Sequence, residues 1–275
     1  MSSRSQDSPN GNPFDPRAGI RAFLALDTLV RLVVWAGSFT VATACVTALG
    51  HWPDVPLRNA ALNDAWVWAL AFVEWIALFN VAYVLILVAI RLPIPTPKEG
   101  AYSLHGDRAM SPQLVWSCLL ATLTKARFDP PFPGFLVYQT ASLPPLCWIV
   151  NRVLGPRTRS CNVTEPLLID PHLIEIGRNV VIGYRALIAG HTQGRDGIVV
   201  KKTRIEDDVM IGGDALIYSG CRIKRGAIIL GGAVVRPDTI VGEYEVWGGV
   251  PARKIKDLPP AAASGNGSPT RRLRE

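Results

Sequence analysis

The strongest constraint on this chain is a beat of six. Ile176, Ile182 and Ile188 stand six apart, and Ile205, Ile211, Ile217, Ile223, Ile229, Val235 and Val241 keep the same interval. Every one of them is β-branched. Four residues after most of them comes a smaller side chain: Val180 and Ala186 in the first run, then Val209, Ala215, Cys221, Ala227, Ala233 and Thr239. A period of six serves neither an amphipathic helix nor an alternating strand. It fits a solenoid of short flat strands, three to a coil, with about 18 residues per turn. The branched residue points into a narrow core, and the small one sits where the chain turns a corner. With Trp247 in phase, the marked positions make about four coils, a small core for its surface.

The beat fails between Ile188 and Ile205, in "IAGHTQGRDGIVVKKTRIEDD". The break predicts a polar loop leaving the solenoid with His191 at its front edge and Thr192, Gln193, Arg195 and Asp196 along it. A side chain with a pKa near 6.5 is mostly neutral at pH 7 and able to accept a proton, the property a general base needs. One coil earlier, "LLIDPHLIEIG" offers Asp170, able to orient the histidine or bind an acceptor; a plain Asp-Pro turn opening the first coil is an equally good reading. Glu165 and His172 are weaker candidates for the same pocket.

Ahead of the solenoid the chain changes character. Residues 1–19 are Ser, Asn, Pro and Gly rich, a composition that favours disorder. Residues 20–92 hold two apolar runs, about Ile20 to Leu49 and Ala65 to Ile90, each near the length that spans a bilayer. A signal peptide competes for the first run, but the run is long and lacks a small-residue cleavage site soon after it. Trp66, Trp68 and Trp75 suit a membrane interface. Asp27 and Arg31 share a helix face, and Glu74 reads either as a snorkelling interfacial group or as a buried functional one. Arg4, Arg17 and Arg21 before the runs, and Arg91, Lys98 and Arg108 after them, outweigh Arg58 between them. The positive-inside rule then puts both ends of the hairpin in the cytoplasm. The expectation is a multi-pass protein of the cytoplasmic (inner) membrane with its N-terminus and C-terminal domain in the cytoplasm. Residues 93–162 read as a linker with amphipathic helices lying at the interface, core helices being the close alternative. Residues 163–257 are the solenoid, and 258–275 a second polar tail. The fold class is thus an α+β membrane protein.

The net charge of +7 comes without a helix-turn-helix, zinc finger or RNA-binding signature, so membrane lipids rather than nucleic acid are the expected anionic partner. The five cysteines are scattered, with no CxxC pair, which argues against a disulfide frame or a metal site.

The hexapeptide pattern, with "IEDDVMIGGDALIYSG" and "VWGGVPARKIKDL", resembles the hexapeptide-repeat acyltransferases over roughly 163–257. The likeness is to serine, galactoside and maltose acetyltransferases and, given the hairpin, to a membrane-anchored branch. The resemblance implies a left-handed parallel β-helix, a homotrimer, and acetyl-CoA or another acyl-CoA as co-substrate, with no metal. It implies His191 as general base, Asp170 beside it, and Gly213 at the acyl end of the co-substrate. It also implies Gly212, Gly213, Gly231 and Gly232 along the pantetheine groove, with Arg236, Arg253 and Lys256 toward the phosphates. The function expected is acyl transfer, O-acetylation included, to a hydroxyl or amine of a membrane-associated or lipid-linked acceptor such as a glycan or glycolipid. The loop is about two residues shorter than in galactoside-type enzymes, and Pro237 replaces a frequent cation, so the acceptor pocket is not inherited. A γ-class carbonic anhydrase shares the solenoid but needs three zinc-binding histidines, and only His172 and His191 lie in this one. The alternative of another class is a non-catalytic membrane scaffold, which has no use for a histidine in a broken repeat.

Overall fold

The computed structural model describes residues 16–52, 65–103, 119–120, 122–123, 146–158, 167–194 and 197–259. Helices α1 (Pro16–Ala48) and α2 (Ala65–Arg91) form the N-terminal hairpin. They run antiparallel. The Trp75 indole N–H donates to Thr43 Oγ1 at 3.1 Å and its ring meets Phe39 edge-on, while a Cβ on Gly37 would lie 3.1 Å from Ile86 Cδ1. Both helices are long and apolar enough to cross a membrane, with mean hydropathy of 1.7 over Leu24–Ala48 and 2.3 over Ala65–Arg91. Val34, Phe79, Tyr83 and Leu87 fill the seam between them, yet Leu29, Val33, Phe72 and Val73 face outward. Helices apolar all round belong in apolar surroundings. Ser38 donates back to Val34 within its own helix. Arg31 Nε meets Asp27 at 3.0 Å, and Glu74 meets His51 at 2.9 Å where the hairpin turns.

Helix α3 (Leu146–Val153) follows Pro145. Its Val150, together with Leu154 just beyond it, joins Leu120, Leu123 and Ile94 in the hairpin's core. So α3 docks one face on the hairpin, and only its other side, with Trp148 and Ile149, stays exposed. Most of the preceding apolar stretch lies outside the described residues.

The solenoid has three walls. The first holds β2 (Arg157–Thr158), β4 (Ile174–Ile176), β9 (Thr203–Ile205), β12 (Arg222–Ile223) and β15 (Ile240–Val241). The second holds β5 (Val181–Ile182), β10 (Met210–Ile211), β13 (Ile228–Ile229) and β16 (Glu245–Gly248). The third holds β3 (Leu167–Ile169), β6 (Leu187–Ala189), β11 (Leu216–Ile217) and β14 (Val234–Val235). Within each wall these strands pair in parallel, and from β4 onward the chain visits the walls in that order.

The six-residue beat becomes three columns. Ile176, Ile205, Ile223 and Val241 stack on the first wall; Ile182, Ile211, Ile229 and Trp247 on the second; Ile188, Ile217 and Val235 on the third. The isoleucines and valines of these columns are buried, each contributing about 1.5–3 kcal/mol by leaving water. The corner positions Ala186, Ala215, Ala227 and Ala233 are closed to solvent as well. Asp208, Asp214 and Asp238 turn corners at φ 61°, 55° and 60°, the left-handed region that short polar side chains tolerate. The last strand, β17 (Arg253–Asp257), departs from the parallel pattern: it folds back antiparallel on β16.

Candidate active site

The interruption after Ile188 is not a free loop. β7 (His191–Gln193) and β8 (Gly197–Val200) form an antiparallel hairpin, and β1 (Gly100–Ser103), from the segment just after α2, adds a third strand. The register runs from Gly100 opposite Val200 to Ser103 opposite Gly197. Ile198, Val199 and Val200 are natural strand formers once an edge partner is supplied. Arg195 and Asp196 lie outside the described residues.

Three tethers fix the base of this hairpin. Thr203 Oγ1 donates to Ala189 O at 2.7 Å, Lys201 N–H donates to Gly190 O at 3.0 Å, and Thr192 Oγ1 shares a 2.7 Å hydrogen bond with Ser219 Oγ. Gly190 is wedged against the previous coil. A Cβ there would come 2.7 Å from Leu173 Cβ and 3.0 Å from Asp170 Cβ, so only glycine lets the strand approach this closely.

That approach brings His191 onto Asp170. Asp170 precedes the short 3-10 turn Pro171–Leu173 in a left-handed conformation, φ 58°, and Leu173 N–H donates to its carbonyl at 2.8 Å. The turn aims the carboxylate inward, where its side chain is 2 % exposed and hydrogen-bonded to His191 Nδ1; the His191 side chain is 32 % exposed. Asp170 is therefore both the turn residue and the histidine's partner. The hydrogen bond to Asp170 raises the imidazole above its ordinary range; burial opposes this and the carboxylate charge adds to it. With Nδ1–H engaged, the neutral ring keeps its lone pair on Nε2, the atom free to take a proton.

His172 lies next to this pair and behaves in the opposite way. Burial, ahead of every other cause, pushes it down to about 4, and neither ring nitrogen has a hydrogen-bond partner among the described residues.

The other sequence-derived positions fall elsewhere. Gly212, Gly213, Gly231 and Gly232 lie where the chain passes from the second wall to the third. The His191 hairpin leaves at the next corner, between the third wall and the first. One chain thus carries these two features on different corners of its prism. At the glycine corner successive coils touch: a Cβ on Gly212 would collide with Gly231 N, and one on Gly213 or Gly231 would stand 3.2 Å from a backbone oxygen. Gly232 adopts φ 67° and has open space around it. The result is a strip walled by backbone. Arg236, Arg253 and Lys256 are exposed, and none forms an ion pair among the described residues. Lys254, between two of them, is held by Glu245 at 2.8 Å and Asp257 at 2.7 Å.

Ser219, Thr203 and β1 do not stand out in the sequence. Only a glycine directly before the histidine hinted at the close approach.

Residues 202–237 match the model of the bacterial transferase hexapeptide (six repeats) family. YvoF of Bacillus subtilis (strain 168), which carries the name of an acetyltransferase, is 31% identical over 130 residues, covering 44% of this chain and 74% of that protein. A 2,3,4,5-tetrahydropyridine-2,6-dicarboxylate N-acetyltransferase of Staphylococcus aureus (strain JH9) is 41% identical over 80 residues, which span 29% of this chain and 31% of that enzyme. Among solved structures, a galactoside acetyltransferase in complex with coenzyme A aligns at a TM-score of 0.40 and 16% identity, covering 55% of this chain and 86% of that one.

Proposed function

The chain belongs to the hexapeptide-repeat acyltransferase family, and from that premise we propose that it moves an acetyl or longer acyl group from acyl-CoA to a hydroxyl or amine of a membrane-associated acceptor. The observation that carries this reading is the Asp170–His191 pair, a buried carboxylate holding Nδ1 of an imidazole that is itself about one-third exposed.

His191 Nε2 takes the proton of the acceptor hydroxyl or amine as its oxygen or nitrogen attacks the thioester carbonyl. Asp170, accepting from Nδ1–H, steadies the imidazolium that forms. The new C–O or C–N bond forms, the C–S bond breaks, and the proton on Nε2 goes to the departing sulfur, so coenzyme A leaves as the thiol. Backbone at Gly213, in the strip that has no side chains, is the candidate for meeting the acyl carbonyl. The strip of Gly212, Gly213, Gly231 and Gly232 suits the narrow pantetheine arm. Arg236, Arg253 and Lys256 keep their charge for its phosphates.

Because the histidine and the glycine strip lie on different corners, one chain presents the two halves of a site apart. A second copy packed beside the first supplies the missing half to each, which supports a closed homotrimer with parallel solenoid axes. Such an assembly gathers the hairpins on one side. The membrane reading places α1 and α2 in the inner membrane with the solenoid on the cytoplasmic face, and the acceptor, a lipid-linked glycan or glycolipid, in reach of it.

The test is thiol release from acetyl-CoA by detergent-purified protein offered a lipid extract of the source organism. Release that needs both the extract and His191 supports the reading, and mass spectrometry of the extract identifies the acceptor. Equal release from wild type and His191→Ala removes His191 from the mechanism.

A further inference from the structure

The glycine strip has a stop at one end. Ile182, Ile211, Ile229 and Trp247 stack on the second wall, so the residues two places after them share one corner column: Tyr184, Gly213, Gly231 and Gly249. Hydrogen bonds between coils hold that register, from Asp214 N–H to Tyr184 O at 3.0 Å and from Gly232 N–H to Gly213 O at 2.9 Å. Three of the four positions have no side chain. Tyr184 breaks the column with a large ring that is 69 % exposed. Its hydroxyl has no hydrogen-bond partner, and its ring no aromatic one, among the described residues.

The two ends of the strip differ in chemistry. At the upper end Gly248, next to Gly249, pairs with Arg253 of β17, and Val246 pairs with Lys256, so two cations flank the glycines. At the lower end β5 is the outermost strand of the second wall among the described residues. Val181 and Met210, neighbours across that wall, are both exposed and apolar. Arg185, which follows Tyr184, is already paired with Asp214 at 3.2 Å. A ligand with an anionic head, a narrow neck and an apolar tip matches this gradient in one direction only. An acyl-CoA has that form. With its phosphates at Arg253 and Lys256 and its thioester carbonyl at Gly213, the acyl group points down the column toward Tyr184. One coil spacing, about 4.8 Å, separates the two positions. That distance takes a short acyl group, whereas a chain of several methylenes runs into the phenol ring.

We propose that Tyr184 is the specificity-determining stop of the donor groove, closing it one coil beyond the acyl carbonyl and restricting the donor to short acyl groups. The proposal rests on reading the glycine strip as the acyl-CoA groove, and it narrows the donor class which that reading leaves open.

The experiment uses the full chain in neutral detergent and measures equilibrium binding of coenzyme A, acetyl-CoA and hexanoyl-CoA to wild type, Tyr184→Phe and Tyr184→Ala, without acceptor. Wild type and Tyr184→Phe are expected to bind hexanoyl-CoA about tenfold or more weaker than acetyl-CoA, since the volume of the ring and not its hydroxyl makes the stop. Tyr184→Ala is expected to bind hexanoyl-CoA at least as tightly as acetyl-CoA, a gain of about tenfold that the burial of two methylenes supplies. Coenzyme A has no acyl group and is expected to bind all three proteins alike. Tyr184 is exposed, so its replacement leaves the coil intact, which a melting curve checks. Thiol release with the lipid extract is expected to show the same reversal of chain preference. Hexanoyl-CoA binding wild type as tightly as acetyl-CoA, an unchanged ratio in Tyr184→Ala, or an equal loss of all three ligands in that variant overturns the proposal. The two possible failures are distinct. Wild type that binds no coenzyme A refutes the donor groove itself, whereas coenzyme A binding with a chain preference insensitive to Tyr184→Ala refutes only the stop.

Discussion

Gly190→Ala is the smallest change that reaches the Asp170–His191 pair without touching either residue. The added methyl would sit 2.7 Å from Leu173 Cβ, 3.0 Å from Asp170 Cβ and 3.1 Å from Leu173 Cδ1. Cβ atoms are fixed to the backbone, so rotamer changes do not relieve the first two contacts. Reaching ordinary contact moves Gly190 and the start of β7 away from the Pro171–Leu173 turn by roughly 0.7–1 Å. Gly190 does not sit at positive φ, so the penalty is space rather than backbone conformation. Overpacking of this kind costs about 1–3 kcal/mol. The same shift stretches the hydrogen bond between Asp170 and His191, and a displacement near 1 Å in a catalytic group lowers a rate by about a hundredfold. Thermal unfolding in detergent and thiol release from acetyl-CoA, measured on one preparation, check both numbers. A variant that melts slightly lower, binds coenzyme A normally and has lost most of its turnover is the expected result. Full turnover would refute the idea that close approach of the strands seats the histidine.

Asp170→Asn removes the carboxylate charge and weakens the hydrogen bond, the two effects that raise His191. Since activity needs the neutral ring, the acidic limb of the rate profile is expected to move to lower pH while the maximal rate falls about ten- to a hundredfold, as a pH–rate series will show. His172 titrates at about 4 when folded against about 6.5 when unfolded, so the unfolded chain binds the extra proton first and stability falls as pH drops through that window. The loss is about 3 kcal/mol, and denaturant melts in lipid-free, phosphate-free detergent are expected to show it in wild type and not in His172→Phe. Ser219→Ala leaves Thr192 without its partner and is expected to cost about 1 kcal/mol of stability by the same melts. Arg253→Gln with Lys256→Gln is expected to raise KM for acyl-CoA several-fold and leave kcat unchanged, read from initial rates.

The columns of the solenoid were legible because a period of six has one economical packing, and Ile176, Ile205, Ile223 and Val241 stack as their spacing requires. The hairpin's helices were equally legible from apolar length. What the sequence hid was pairing between distant, weakly patterned segments. Gly100–Ser103 is one tyrosine among small residues, and nothing in it signals a strand until Gly197–Val200 is beside it. The docking of α3 was hidden for a related reason: an amphipathic face does not say whether lipid or protein covers it, and here Val150 meets the hairpin. Asp170 was read as either a turn residue or a partner for His191, and the geometry makes it both. The glycines and the histidine were assigned to one site from resemblance, but a repeat gives no indication of which corner faces which chain.

The β1 strand bears on how such a protein divides into parts. A hairpin followed by a solenoid invites the picture of an engine with a detachable mooring. Yet β1 follows closely on α2, and it is the outer strand of the very sheet that bears His191. Only residues 92–99 separate the end of α2 from that sheet. A truncation made beyond Ser103 to obtain a soluble solenoid would strip that sheet to two strands. Hairpin and solenoid are in this sense joined through one sheet, and a cut between them passes through that sheet.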